Sequence, residues 1–324
     1  MDKNKRADRS VSAKDVFKAA ECIGPLIRST PLEHAPALSS ASGAKVRLKL
    51  ENQQVTGSFK LRGASNVIAN LSESQRESGV IAPTAGNHGL ALAHAGQAAG
   101  VPVTICLPET ADPMKIAAMK ASGAAIAFFP DVEKARQAAT AMAAETGATF
   151  VSAYNNPFMI AGGGTVGLEI LAEWIDAEVI LVCLGGGGLA SGIAMVAKAI
   201  NPEIEIWGIQ SEASPTFIRW REAGVPVAVD LSTSIAEGIS GPIEPETMTW
   251  PIVRDLVDRV LPVSDAEIAA AMGWMLDHHR QVVEPSGIAA VAGIGRYAAQ
   301  LAGRNVVAVV TGGNVSGQRY RALL

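Results

Sequence analysis

The chain is short of charge, of aromatic rings and of cysteine. Charged side chains make up 18% of its 324 residues and aromatics 5%. The formal net charge is -4, and no basic run interleaved with aromatics occurs. Neither a nucleic-acid surface nor an anionic-membrane surface is therefore expected. Cys22, Cys106 and Cys183 are odd in number and widely spaced, which excludes a disulfide framework and a zinc spacing. Cys106 and Cys183 lie in apolar, strand-like runs and are expected as buried reduced thiols, which points to a reducing, cytoplasmic setting. No stretch of the sequence reaches about 18 uninterrupted apolar residues, so no membrane span is expected. Met1-Asp2-Lys3-Asn4-Lys5-Arg6 is charged and no apolar segment follows it, so no secretory leader is expected.

What the chain has is apolar mass, 48% of the residues, enough for a large core. The length suggests about two domains. Residues 1–11 are polar and expected to be loose, and Ser12 is placed to cap a helix that ends at Gly24-Pro25. Val46, Leu48 and Leu50 alternate along a strand, and a helix is expected from Ser58. From residue 79 short apolar runs alternate with alanine-rich stretches closed by Gly100, Gly123 and Gly147. That alternation predicts a parallel sheet covered by helices on both faces. We expect residues 79–155 to form a small mobile domain and residues 1–78 with 156–324 a larger, cofactor-binding one.

Four stretches carry chemistry. In Ser58-Phe59-Lys60-Leu61-Arg62-Gly63-Ala64 one lysine follows an aromatic ring among small residues. A desolvated lysine loses its proton readily and attacks carbonyls, as a Schiff-base lysine for pyridoxal phosphate must. The plainer reading is a helix-start lysine facing water. Gly185-Gly186-Gly187-Gly188 stands between an apolar strand and a helix. Converging backbone N–H groups and a helix N-terminus there suit a phosphate, and four glycines exceed the need of a tight turn. No Gly-Lys-Ser/Thr follows, so it is not a nucleotide P-loop. Thr84-Ala85-Gly86-Asn87-His88-Gly89 sits past a strand end, where open α/β sheets bind ligands. Asn87 can donate to an oxyanion, the loop N–H groups can hold a carboxylate, and His88 is either functional or a packing residue. Thr311-Gly312-Gly313-Asn314 again leaves a strand. Its hydroxyl can meet a pyridine nitrogen, or the segment is a simple strand-exit turn.

Together with Ala236-Glu237-Gly238-Ile239 and Val283-Glu284-Pro285-Ser286-Gly287, these motifs resemble the serine/threonine dehydratase and serine racemase family of pyridoxal-phosphate enzymes. The resemblance runs from Thr30 to Asn314 and implies an α/β, two-domain open parallel-sheet fold of the tryptophan-synthase-β type. It implies that Lys60 carries the cofactor and is the catalytic base, and that Phe59 packs on the ring. It implies that Asn87 bonds the ring 3-oxygen, that Gly185, Gly186, Gly187, Gly188 and Leu189 hold the phosphate, and that Thr311 faces the ring nitrogen. Gly238 and Glu284 would lie near the ring. Ser58, Thr84, Ala85, Gly86, Asn87 and His88 would line the substrate.

The implied activity is removal of the β-hydroxyl of a small amino acid of the threonine, serine or hydroxyaspartate type, giving a 2-oxo acid and ammonia. The alternatives are a racemase with dehydratase side activity, a β-replacement synthase, and a non-catalytic pyridoxal-phosphate or anion binder. Thr84 stands where the racemases have a serine base, which weakens racemisation. Gln210 and Thr216 stand where the racemase branch holds a divalent metal with carboxylates, which argues against that metal here. Arg136 falls near an arginine able to meet a second carboxylate, although a solvated helix charge is the plainer reading. A homodimer is implied, and control by isoleucine is not.

Overall fold

The computed structural model describes residues 11–324. Residues 1–10, where most of the expected loose N-terminal segment falls, lie outside the described residues. Two sheets organise the chain. The six-stranded sheet has the order β1-β2-β10-β7-β8-β9. Its strands are β1 (Leu32–His34), β2 (Lys45–Leu50), β7 (Val179–Cys183), β8 (Glu205–Ser211), β9 (Arg259–Val263) and β10 (Asn305–Val310). Only β1 pairs antiparallel, at the edge. The four-stranded sheet is β5-β4-β3-β6, all parallel. It consists of β3 (Val80–Pro83), β4 (Val103–Pro108), β5 (Ala125–Phe129) and β6 (Thr149–Phe150).

The period of two along a strand explains the layers. In β7 and just beyond it, Val179, Leu181 and Cys183 enter one core with Leu48, Leu50 and Ile288. Ile180, Val182 and Leu184 enter the opposite core with Ile193, Val307 and Val309. Both faces are thus covered, which is why these strands read as continuous apolar runs. A third core gathers Val80, Ala82, Leu92 and Ile105 around the small sheet. Its helices stop where the sequence says they should: Gly100 and Gly147 close the helices Asn87–Ala99 and Val132–Thr146 at φ 66° and 74°, left-handed values that glycine alone adopts without strain.

The helix after β2 begins at Lys60, not at Ser58 as expected. Ser58 is instead drawn into an antiparallel bridge with Gly312 at the exit of β10. Gly313 donates its N–H to the carbonyl of Gly57, and Phe59 donates its own to the carbonyl of Thr311. One turn further on, Arg62 is fully buried and makes a two-pronged contact with Glu51 and another with Glu169. Lys49, also fully buried, meets Glu169 at 2.7 Å. These charges lock the lysine-bearing helix against β2 and the helix Pro157–Glu173.

Candidate active site

Lys60, Asn87, Gly185–Leu189 and Thr311 come from segments far apart in sequence, each after a strand, yet Lys60 and Asn87 both act on Glu284, and Lys60 acts on Cys183, the neighbour of Thr311. The Lys60 ammonium donates to the carbonyl of Ala153 at 2.8 Å, and it lies 5.0 Å from the centre of the Phe59 ring. Loss of its water pulls its pKa down to about 8, opposed in part by the fields of Cys183 and Glu284. A fraction of this lysine is therefore a free amine near neutral pH.

The segment that holds Lys60 also covers the glycine run. A Cβ at Gly186 would overlap the Tyr154 ring, and one at Gly188 would sit 3.1 Å from the Tyr154 Cα. A Cβ at Gly185 would come within 3.0 Å of the Ile239 backbone, and one at Gly187, whose φ is +86°, within 3.0 Å of Phe217. Each glycine thus has a packing reason of its own, so their number alone does not argue for an anion. The anion site rests on what the glycines expose: the helix Gly188–Ile200 starts here, and its first N–H groups lack intrahelical partners. Leu189 is 5% exposed and packed in the core, so only its backbone is available to a ligand.

Across the cleft, Asn87 opens the helix after β3. Its Oδ1 accepts from Asn314 Nδ2 at 2.7 Å, and its Nδ2 donates to Glu284 Oε1. The acceptor side of the amide is thereby fixed, leaving the second Nδ2 hydrogen for an oxyanion. Burial pushes the Glu284 carboxyl up, against the pull of Lys115, Asn87, Lys60 and Arg319. Thr84 Oγ1 accepts the N–H of Gly86 at 3.2 Å, while its methyl lies toward Gly89. Ala85 and Gly86 complete that turn. Gly238 donates its N–H to Ser286 Oγ at 2.8 Å beside Gly185. Ser58 is fully buried and its hydroxyl has no hydrogen-bond partner.

A family model for pyridoxal-phosphate-dependent enzymes matches residues 23–312. The chain belongs to the pyridoxal-phosphate-dependent enzyme family. It is 37% identical to the L-threonine ammonia-lyase of Thermotoga maritima over 94% of this chain and 76% of that one. It is 36% identical to the L-threo-3-hydroxyaspartate ammonia-lyase of a Pseudomonas species over 97% and 98%. The structure of maize serine racemase superposes with a TM-score of 0.91 at 32% identity, covering 97% of each chain.

The family's cofactor fits these residues. They offer an amine with a lowered pKa, a helix start behind a Cβ-free loop, an oriented amide donor and the buried, unpartnered Ser58 hydroxyl. The divalent metal of the racemase branch does not fit. Gln210 is fully buried and commits its Oε1 to the N–H of Ile218, so it presents amide hydrogens, which repel a cation. Thr216 is buried in the next helix, and Glu212 is held by Arg296.

His88 is not turned to the cleft. Its Nε2 meets the carbonyl of Val151 at 3.0 Å, and burial with the Lys60 field lowers its pKa to about 3, so it stays neutral. Arg136 is occupied by Glu133. Sequence reasoning missed the side chains of Tyr154, Ser286, Asn314 and Cys183. Asn314 and Ser286 lay inside the motifs already singled out; Cys183 was expected only as a buried thiol, and Tyr154 carried no sequence signal.

Proposed function

We propose that Lys60, Asn87, Thr311, Ser58 and the glycine run are the machinery of a hydroxy-amino-acid ammonia-lyase. The chain is a pyridoxal-phosphate-dependent lyase that converts a small β-hydroxy amino acid to a 2-oxo acid and ammonia. The observation that carries the site assignment is the contact of the Lys60 amine with Ala153. It sets Lys60, a lysine of lowered pKa, beside the segment that packs on the glycine run.

When bound, pyridoxal phosphate supplies an electron-withdrawing ring that stabilises negative charge at the substrate's α-carbon. The chain does the rest. Lys60 Nζ would hold the cofactor at its aldehyde carbon, and as a free amine it would take up the substrate's α-proton. The N–H groups of Gly187, Gly188 and Leu189 hold the phosphate. Asn87 Nδ2 holds the ring oxygen, and the Ser58 hydroxyl with the N–H groups of the 85–88 loop holds the substrate carboxylate. Thr311 offers a hydroxyl, not a carboxylate, to the ring nitrogen. Such a partner would not hold a proton on that nitrogen, which would leave the ring a weaker sink for charge.

A cation free to meet a second carboxylate would separate the substrate classes within this reaction. Arg136 is engaged, whereas Lys115 acts on Glu284 across the cleft and makes no hydrogen bond or ion pair among the described residues. Lys115 suits a second carboxylate, as in hydroxyaspartate. Purified holoenzyme, offered threonine, serine and hydroxyaspartate while oxo acid and ammonia are followed, decides the matter. Release of both confirms a dehydratase, and Lys115→Met should lose hydroxyaspartate turnover more than threonine turnover. Racemisation is the second reading, favoured by the hydroxyl that Thr84 keeps beside the Asn87 turn. Accumulation of D-serine from L-serine without oxo acid would replace the main proposal by this one. The division at residues 79 and 155, the homodimer and the cytoplasmic location belong to the same proposal; sedimentation and limited proteolysis test the first two.

A further inference from the structure

The backbone of Thr311 is held from both sides. Its N–H donates to the carbonyl of Gly287 at 2.9 Å, and its own carbonyl accepts from Phe59 at 3.1 Å. One torsion, χ1, is left to set what this residue shows the cleft. In threonine that torsion chooses between a hydroxyl and a methyl of nearly equal size. Shape alone selects weakly between them, so a directional contact must.

That contact is Cys183, the last residue of β7, the strand beside β10. Its Sγ lies 3.4 Å from Thr311 Oγ1, and among the described residues no other side chain or backbone group bonds this hydroxyl. Cys183 is 7% exposed and Thr311 3%. Burial pushes the thiol up to about 11, so it keeps its proton across the working pH range. Either atom can donate in this contact, but once the threonine O–H turns to a ring nitrogen, only the protonated thiol is left to donate to Oγ1. In that arrangement the threonine's own proton is unspent on the protein.

We propose that Cys183 is a positioning residue: its thiol selects the rotamer of Thr311 and leaves the threonine O–H free to donate to the ring nitrogen of the bound cofactor. The proposal rests on the reading of Thr311 as that nitrogen's partner. Cys183 touches neither substrate nor ring in this scheme and acts through Thr311 alone. Without the thiol, the methyl competes for the position facing the cleft, and the ring nitrogen loses its donor for part of the time.

The test uses holoenzyme loaded with pyridoxal phosphate labelled with nitrogen-15 in the ring, without substrate. The ring-nitrogen resonance is measured in the parent protein and in Cys183→Ser, Cys183→Ala, Cys183→Val and Thr311→Val. Cys183→Val is close in volume and β-branched, so it keeps the strand packed if Cys183→Ala does not. Thr311→Val should move the resonance. Cys183→Ala and Cys183→Val should move it the same way and weaken cofactor binding by the apoprotein about fivefold, the worth of one neutral hydrogen bond. Cys183→Ser, which restores a donor, should stay near the parent value. Cys183→Ala should add nothing in a Thr311→Val background. If Thr311→Val moves the resonance while Cys183→Ala and Cys183→Val leave it in place, the thiol only packs and the proposal is overturned. If Thr311→Val leaves it in place too, the reading of Thr311 itself is wrong, and the proposal goes with it.

Discussion

Lys60 should cost the cofactor-free protein stability, and the cost should depend on pH. Its pKa falls from 10.5 in the unfolded chain to about 8 in the fold, chiefly because burial strips its water. A depressed base binds fewer protons folded than unfolded, so stability rises with pH across the window from about 8 to 10.5 and is lowest below it. At 1.36 kcal/mol per pKa unit the cost below that window is roughly 3 kcal/mol. The lysine stem is partly open to the cleft, and solvent there screens some of it, which leaves about 2 kcal/mol. Lys60→Met keeps the apolar stem and removes the charge. With a urea slope of about 3 kcal/mol per molar, the midpoint of the cofactor-free variant should lie roughly 0.7 M above that of the parent at pH 7. The gap should close by about pH 10.5, where the parent lysine is neutral. Other alkaline titrations occur in both proteins and cancel in the difference. A variant midpoint at or below the parent's at pH 7, or a gap that persists unchanged to pH 10.5, would refute the account of Lys60 as a desolvated amine.

Three further outcomes follow from the packing. Gly186→Ala places a methyl in the Tyr154 ring, and equilibrium dialysis should show cofactor affinity falling about 10- to 100-fold, the cost of overpacking a tight contact. Arg62→Met leaves Glu51 buried and unpaired; calorimetry should show a loss of about 3–5 kcal/mol, part of it recovered by adding Glu51→Gln. Because Gln210 presents amide hydrogens where the racemase branch has a carboxylate, turnover and melting temperature should be the same in chelator and in millimolar magnesium; a rise in either with magnesium contradicts the donor chemistry.

Much of this was legible in the sequence where the signal is local. The apolar runs of β7 and β10, the glycine-closed helices of the small sheet, and the order of lysine, asparagine and glycine motifs all follow from period and punctuation. The rest depends on contacts between distant segments. Ser58 looks like a helix start, but its partner in the bridge, Gly312, lies at the other end of the chain. Lys49, Glu51, Arg62 and Glu169 look like surface charges because composition cannot show that they neutralise one another in the interior. The pairing of Cys183 with Thr311 comes from the neighbouring of β7 and β10, which no short window contains. Trp220, Trp250 and Phe217 hold the helices Thr216–Ala223 and Thr249–Leu256 together through edge-on and stacked ring contacts.

The bridge between Ser58 and Gly312 also sets when, during synthesis, this protein comes alive. The lysine leaves the ribosome early, but the strand exit that fixes it follows about 250 residues later (312 less 60). A nascent chain lacking that end has no partner for Ser58, no carbonyl for Phe59 and no hydroxyl at position 311. Vitamin capture is therefore a late event, and chains stalled before their final strand should remain colourless.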